Sequence, residues 1–187
     1  MKIRLAVNEI QRDSIVDGEG IRSVIWTQGC SHNCPGCHNP ETHSFQEGIL
    51  VDVELLKEKI SKLEGQDGIT FSGGDPMEQA KACAELAKYC KECGLNVWCY
   101  TGYTWEELIQ KSEFFLDIGE FLKYIDVLVD GKFILEQKSY DVIFRGSKNQ
   151  RLIDVQASLK KQKIVEFEHV SKTTNKKNGR KSHYMYV

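Results

Sequence analysis

Between residues 21 and 131 the chain alternates short apolar, β-branched runs with longer segments of helical spacing, and turn-forming residues mark the changes of period. This alternation constrains the fold more than any other feature, because strand–helix repeats imply an α/β domain with parallel strands. Residues 21–27 alternate as a strand does. Val53, Leu56, Ile60 and Leu63 recur at helical spacing behind Asp52, a residue type that caps helices. Residues 68–72 read as a strand running into Gly73-Gly74-Asp75-Pro76. A helix over about 77–93 closes at Gly94, and residues 95–100 form the next strand. Thr104-Trp105-Glu106-Glu107 opens a helix with capping-box spacing, residues 114–124 read as helical, and 127–129 form a short buried strand before Asp130-Gly131.

The length, 187 residues, suits one domain. The formal charge of −2 gives no bulk attraction to nucleic acid or acidic membranes, so neither is an expected partner. The first nine residues meet charge too early for a signal peptide, and no run approaches the ~20 apolar residues of a membrane span. A cytoplasmic protein is the expectation. There thiols stay reduced, so the seven cysteines read as ligands, reactive groups or core residues rather than disulfides. After Glu168 there is no acid, while Lys172, Lys176, Lys177, Arg180 and Lys181 are basic; taking these five from 25 basic residues leaves 20 against 27 acids. The expected organisation is a domain over residues 1–170 and a basic, loosely ordered tail over 171–187.

All three prolines lie in two loops that follow strand-type runs, where ligand sites of parallel α/β sheets are built. The first loop carries Cys30, Cys34 and Cys37 at x3 and x2 spacing, among Ser, His, Asn, Pro and Gly rather than on an apolar period. A core role fits that setting poorly. A structural zinc site would need a fourth ligand such as His32, His38 or His43. An iron–sulfur cluster is commonly held by four thiolates; three can hold three irons of a four-iron cluster and leave the fourth open.

Cys30-x3-Cys34-x2-Cys37 resembles the cluster motif of the radical S-adenosylmethionine superfamily. Asp17-Gly18-Glu19-Gly20-Ile21-Arg22 resembles the start of glycyl-radical-enzyme activases. Ser72-Gly73-Gly74-Asp75-Pro76, Tyr100-Thr101-Gly102-Tyr103, Leu128-Val129-Asp130-Gly131-Lys132-Phe133 and Arg145-Gly146-Ser147-Lys148-Asn149-Gln150 narrow the likeness to the activases of anaerobic (class III) ribonucleoside-triphosphate reductase, over about residues 8–155. The resemblance implies a partial (β/α) barrel holding a [4Fe-4S] cluster and S-adenosyl-L-methionine. It also implies an oxidoreductase whose 5′-deoxyadenosyl radical takes hydrogen from a backbone glycine of the reductase's glycyl-radical subunit, and a reduced flavodoxin- or ferredoxin-like electron donor.

By the same resemblance, Cys30, Cys34 and Cys37 are the iron ligands. Gly36, Cys37, His38, Gly73, Gly74, Asp75, Lys132 and Arg145 are candidate cofactor contacts. His38 stands where the family usually has an aromatic residue. Asp75 has a second possible role as a helix cap, Lys132 as a solvated turn lysine, and Arg145 as a partner contact. Asp17 to Arg22 is either a plain turn or a meeting point for the partner's glycine loop. The other cysteines read as core, since Cys83 and Cys90 share a helical face with Ala80, Leu86 and Ala87; no second cluster is expected. The tryptophans read mainly as packing groups, and the histidines outside position 38 as surface or supporting groups. Two competing readings are an activase of a pyruvate formate-lyase type enzyme and a zinc-binding interaction module.

Overall fold

A computed structural model describes residues 1–169, so the expected tail over 171–187 lies outside the described residues. In chain order the elements are β1 (Lys2–Leu5), β2 (Gln11–Ser14), β3 (Arg22–Thr27), β4 (Ile49–Asp52), α1 (Val53–Ser61), β5 (Gly68–Gly73), α2 (Ala80–Glu92), β6 (Asn96–Tyr100), α3 (Trp105–Ser112), α4 (Leu116–Leu122), β7 (Val127–Asp130), β8 (Arg151–Asp154) and α5 (Val155–Lys161). The eight strands form one sheet in the order β4-β1-β3-β5-β6-β7-β8, with β2 also on β3.

The expected parallel strands are its centre: β3, β5, β6 and β7 pair in parallel, with Thr27 opposite Gly73, Phe71 opposite Cys99 and Tyr100 opposite Val129. The flanks are antiparallel, β1 on β3 and β4, and β8 on β7. The fold is therefore mixed α/β. Helical spacing predicted the buried faces well. Val53, Leu56 and Ile60 of α1, and Cys83, Leu86, Ala87 and Cys90 of α2, pack in the main core with Ile25, Ile69, Phe71 and Leu128 of the sheet. Asp52 caps α1 by accepting from Glu54 N, Thr104 and Glu107 form the capping box of α3, and Gly94 takes φ +76° just past the end of α2. A smaller cluster holds Trp98, Val127, Val129 and Leu152, with Phe144 and Phe167 packed on it.

At the N-terminal end of the parallel strands the buried Arg22 acts as a brace. Its guanidinium donates to Thr70 Oγ1 (2.7 Å), Ile69 O (2.8 Å), Asn96 O (3.1 Å) and Glu19 O (3.0 Å), and it lies 5.3 Å from the Trp98 ring centroid. A buried charge is tolerable only when hydrogen-bonded in this way. The brace fixes the 17–21 turn and leaves the other, C-terminal end of the sheet for four loops. No helix of the described residues is long and apolar enough to cross a membrane.

Candidate functional site

The cysteine loop leaves β3 and is stitched to its own return segment: Gly29 N donates to Thr42 O (2.8 Å) and Cys30 N to His43 O (3.0 Å). Asn33 adopts φ +46°, a conformation asparagine tolerates better than most residues. Cys34-Pro35-Gly36-Cys37 then closes with Cys37 N donating to Cys34 O (3.1 Å) and Gly36 at φ +71°, the signature of a type II turn. This local winding turns all three thiols into one cavity of about 300 Å³ at the C-terminal ends of the parallel strands.

Gly73 and Gly74 from the β5 end, Thr101 and Gly102 from β6, and Gly131 and Phe133 from β7 line the same cavity. Gly74 is needed there because a Cβ would stand 2.4 Å from Gly29 O. The two backbones are joined by Gly74 N donating to Thr27 O (2.7 Å) and Asp75 N to Gly29 O (2.8 Å). Burial pushes the Cys30 thiol up to about 11, against a lowering pull from the backbone N–H of His32. Burial also raises Cys34, while the backbone N–H of Phe133 pulls it down. Asn39 N donates to Cys37 Sγ at 3.4 Å. To act as ligands, these two thiols would have to give up their protons. Among the described residues no three His, Cys, Asp or Glu side chains converge closely enough to hold a single metal ion.

Asp75 ties three of the loops together. It is 1% exposed and caps the 3-10 turn Pro76–Gln79 by accepting from Met77 N (3.0 Å). It also accepts from Thr101 Oγ1 (2.9 and 3.0 Å) and Gly102 N (2.9 Å). Finally, its Oδ2 lies 2.8 Å from His32 Nε2, a hydrogen bond in which the imidazole N–H is the donor to the carboxylate oxygen.

The residues expected from the sequence are distributed as follows. Cys30, Cys34, Cys37, His38, Gly73, Gly74 and Asp75 line the cavity, and Asp17 joins them. His38 packs against Phe133 with ring centroids 5.0 Å apart. Gly36 lies in the turn with its open side toward Leu135 rather than on the cavity wall. Lys132 is exposed and lines a neighbouring depression with Glu106, Glu107 and Arg151. Arg145 is half-buried; its Nη1 donates to Gln150 O (3.1 Å), and its buried Nε has no partner among the described residues. Its neighbours Gly146 and Gln150 line the cavity. Gln150 anchors this segment, accepting from Gly146 N (2.8 Å) and donating to Gly131 O (3.0 Å). Cys83, Cys90 and Cys99 are buried in the main core, and Cys93 is exposed.

Sequence reasoning gave Thr101, Gly102 and Phe133 no individual role, and it left His32 among the surface or supporting groups. Its place between two cysteines was the one available hint for His32. Phe133 had none, because its approach to Cys34 depends on where β7 falls in the sheet, separated from β3 by two strands.

A family model described as a 4Fe-4S single cluster domain matches residues 16–153. The solved structure of QueE from Escherichia coli aligns with a TM-score of 0.47 and 16% identity, over 56% of this chain and 54% of that one. Three curated proteins, each named anaerobic ribonucleoside-triphosphate reductase-activating protein, match 73% of this chain. They come from Haemophilus influenzae (36% identical, 89% of that protein covered), Vibrio cholerae (39%, 89%) and Escherichia coli K12 (35%, 90%). On this likeness and the family model, the chain belongs to the anaerobic ribonucleoside-triphosphate reductase-activating protein family.

Proposed function

We propose that this chain activates anaerobic ribonucleoside-triphosphate reductase by generating a glycyl radical in it, at a [4Fe-4S] cluster held by Cys30, Cys34 and Cys37. The observation that carries this reading is the donor set. Three of the seven cysteines line one cavity at the strand ends, and the other four are elsewhere, three in the core and one exposed. Three thiolates leave one iron of a four-iron cluster open. When bound there, S-adenosyl-L-methionine and the reduced cluster supply the one-electron cleavage that yields the 5′-deoxyadenosyl radical.

The protein's part is to bind, orient and shelter. The Gly73-Gly74 backbone offers polar groups to the amino end of the cofactor, because no side chain covers it. Arg145 fits the carboxylate, since its neighbours Gly146 and Gln150 line the cavity and its Nε–H has no partner among the described residues; a guanidinium binds a carboxylate strongly. Lys132 serves from the adjacent depression, as a contact to the partner or to the cofactor's edge. His38 and Phe133 supply a flat wall for the adenine. Asp75, already accepting from three other residues and contacting His32, acts by holding the loops. Asp17, on the cavity rim, faces the incoming glycine loop. The partial-barrel reading of the sheet is supported by its four parallel central strands, whose loops all meet at this cavity. A reduced flavodoxin- or ferredoxin-like protein supplies the electron, and the cytoplasm is the compartment where such donors and free thiols persist.

The test is anaerobic reconstitution with iron, sulfide, reductant and S-adenosyl-L-methionine, with and without the purified reductase. Expected results are 5′-deoxyadenosine by chromatography and a glycyl radical signal by electron paramagnetic resonance only when the reductase is present. A reconstituted protein that gives neither product sinks the proposal.

A further inference from the structure

His32 is the middle residue between Cys30 and Cys34, yet its side chain is 6% exposed. Three features of the fold hold the ring. Its Nε2 lies 2.8 Å from Asp75 Oδ2. The Tyr103 ring meets it edge-on, with centroids 4.5 Å apart and planes at 72°. Gly102 lies flat against it, so closely that a Cβ there would stand 2.3 Å from His32 Cδ2. Asp75 in turn accepts from Thr101 and Gly102, so the imidazole joins the cysteine loop to both the β5 and β6 ends. Ser31 adds a second, exposed tie, donating to Glu78 Oε1 at 2.6 Å. The Cys34–Cys37 turn closes on its own backbone, Cys37 N donating to Cys34 O, and rests on the 133–135 segment instead.

From this geometry we infer that His32 is a positioning residue: it fixes the Cys30–Cys34 arm against the Gly73–Asp75 and Thr101–Gly102 backbones and so sets where the cluster stands relative to the cofactor groups of the cavity. The inference rests on the cluster reading above. His32 is neither an iron ligand nor a proton carrier in this role. Its contribution is to keep the arm in place before and after iron binds, much as groups behind metal ligands orient them.

The experiment uses the full chain, reconstituted anaerobically without S-adenosyl-L-methionine, as wild type, His32→Ala, His32→Gln and Gly102→Ala. Iron release to a ferrous chelator is timed. Nitrogen couplings to the reduced cluster are recorded by pulsed electron paramagnetic resonance, and thermal melting is followed on the metal-free proteins. His32→Ala and Gly102→Ala should each release iron about tenfold faster than wild type, the lower end of what loss of such a supporting group costs. His32→Gln, whose amide can donate to Asp75, should recover most of the difference. Metal-free His32→Ala should melt much closer to wild type than Leu86→Ala, a change in the middle of the core.

Equal release rates in wild type and His32→Ala overturn the inference. So does a metal-free His32→Ala protein that melts as low as Leu86→Ala, which makes the role one of general folding. A nitrogen coupling present in wild type and lost in His32→Ala also overturns it, by making the imidazole a ligand. Wild-type protein that takes up no iron overturns the cluster reading and the role of His32 with it, whereas retention of iron by wild type and His32→Ala alike overturns the role alone.

Discussion

Replacing Asp75 with alanine should destabilise the metal-free protein by about 4–6 kcal/mol, and the structure supplies the terms. The 3-10 turn at Pro76 loses its cap, typically ~1 kcal/mol. The Thr101 hydroxyl, the Gly102 N–H and the His32 Nε2–H each lose an acceptor in a site where Asp75 itself is 1% exposed. A buried donor left without a partner costs about 1–3 kcal/mol. The low end applies to His32, which can move its proton to the other ring nitrogen, and to Thr101, whose hydroxyl can rotate. For a chain of this size each kcal/mol lowers the melting point by about 2–4 °C, so a drop of roughly 15 °C is expected. Urea titration of metal-free wild type, Asp75→Ala and Asp75→Asn measures it directly. Asparagine keeps the shape and one acceptor oxygen and should lose about half as much. A loss under about 1 kcal/mol for Asp75→Ala would refute the reasoning, because surface substitutions fall in that range; it would mean that water satisfies these donors and that Asp75 does not hold the loops.

Gly74→Ala places a Cβ 2.4 Å from Gly29 O, a backbone atom next to Cys30, and should cost about 1–3 kcal/mol as an overpacked site does; an unchanged urea midpoint would contradict the tight loop contact. Cys34→Ala and Cys83→Ser should separate the two kinds of cysteine. The first should abolish iron binding and change metal-free stability by no more than about 0.5 kcal/mol, whereas the second buries a hydroxyl in the core and should cost about 1–3 kcal/mol. The opposite pattern in iron content and melting would reverse the assignment of core and ligand. The pH dependence of the metal-free protein follows from Cys30, whose thiol sits at about 11 in the fold against an ordinary 9.0. Its proton is held more tightly in the folded state, so this contribution to stability is complete below pH 9 and disappears as pH rises through about 11. Cys30→Ala should therefore lose less stability than wild type over that interval, as read from urea midpoints at successive pH values; parallel losses would show that the thiol is not shielded.

The helices and central strands were legible because their signals are local. The 83-86-87-90 spacing of α2, the cap at Asp52 and the capping box at Thr104 are written within a few residues of one another, and each recurs in the structure. The four-residue strands β1, β2, β4 and β8 were not assigned, since short segments mixing charged and apolar residues carry no clear period. They exist because β3 and β7 present edges to β1, β2 and β8, and β1 in turn presents one to β4.

The same division runs through the site. The sequence by itself determined the three thiols, the turn at Pro35-Gly36 and the small residues after β5, since these depend on residue type and short spacing. Only the tertiary structure decided that Asp75 holds the loops by accepting from Thr101 and Gly102 and engaging His32. It also decided that Lys132 faces the neighbouring depression, and that Arg145 keeps a buried N–H without a partner among the described residues. These contacts join residues tens of positions apart, and parallel pairing of β3, β5, β6 and β7 is what brings their C-terminal loops to one place. A hydrogen bond across that distance leaves no pattern in a single chain until the sheet's register fixes which loop ends meet.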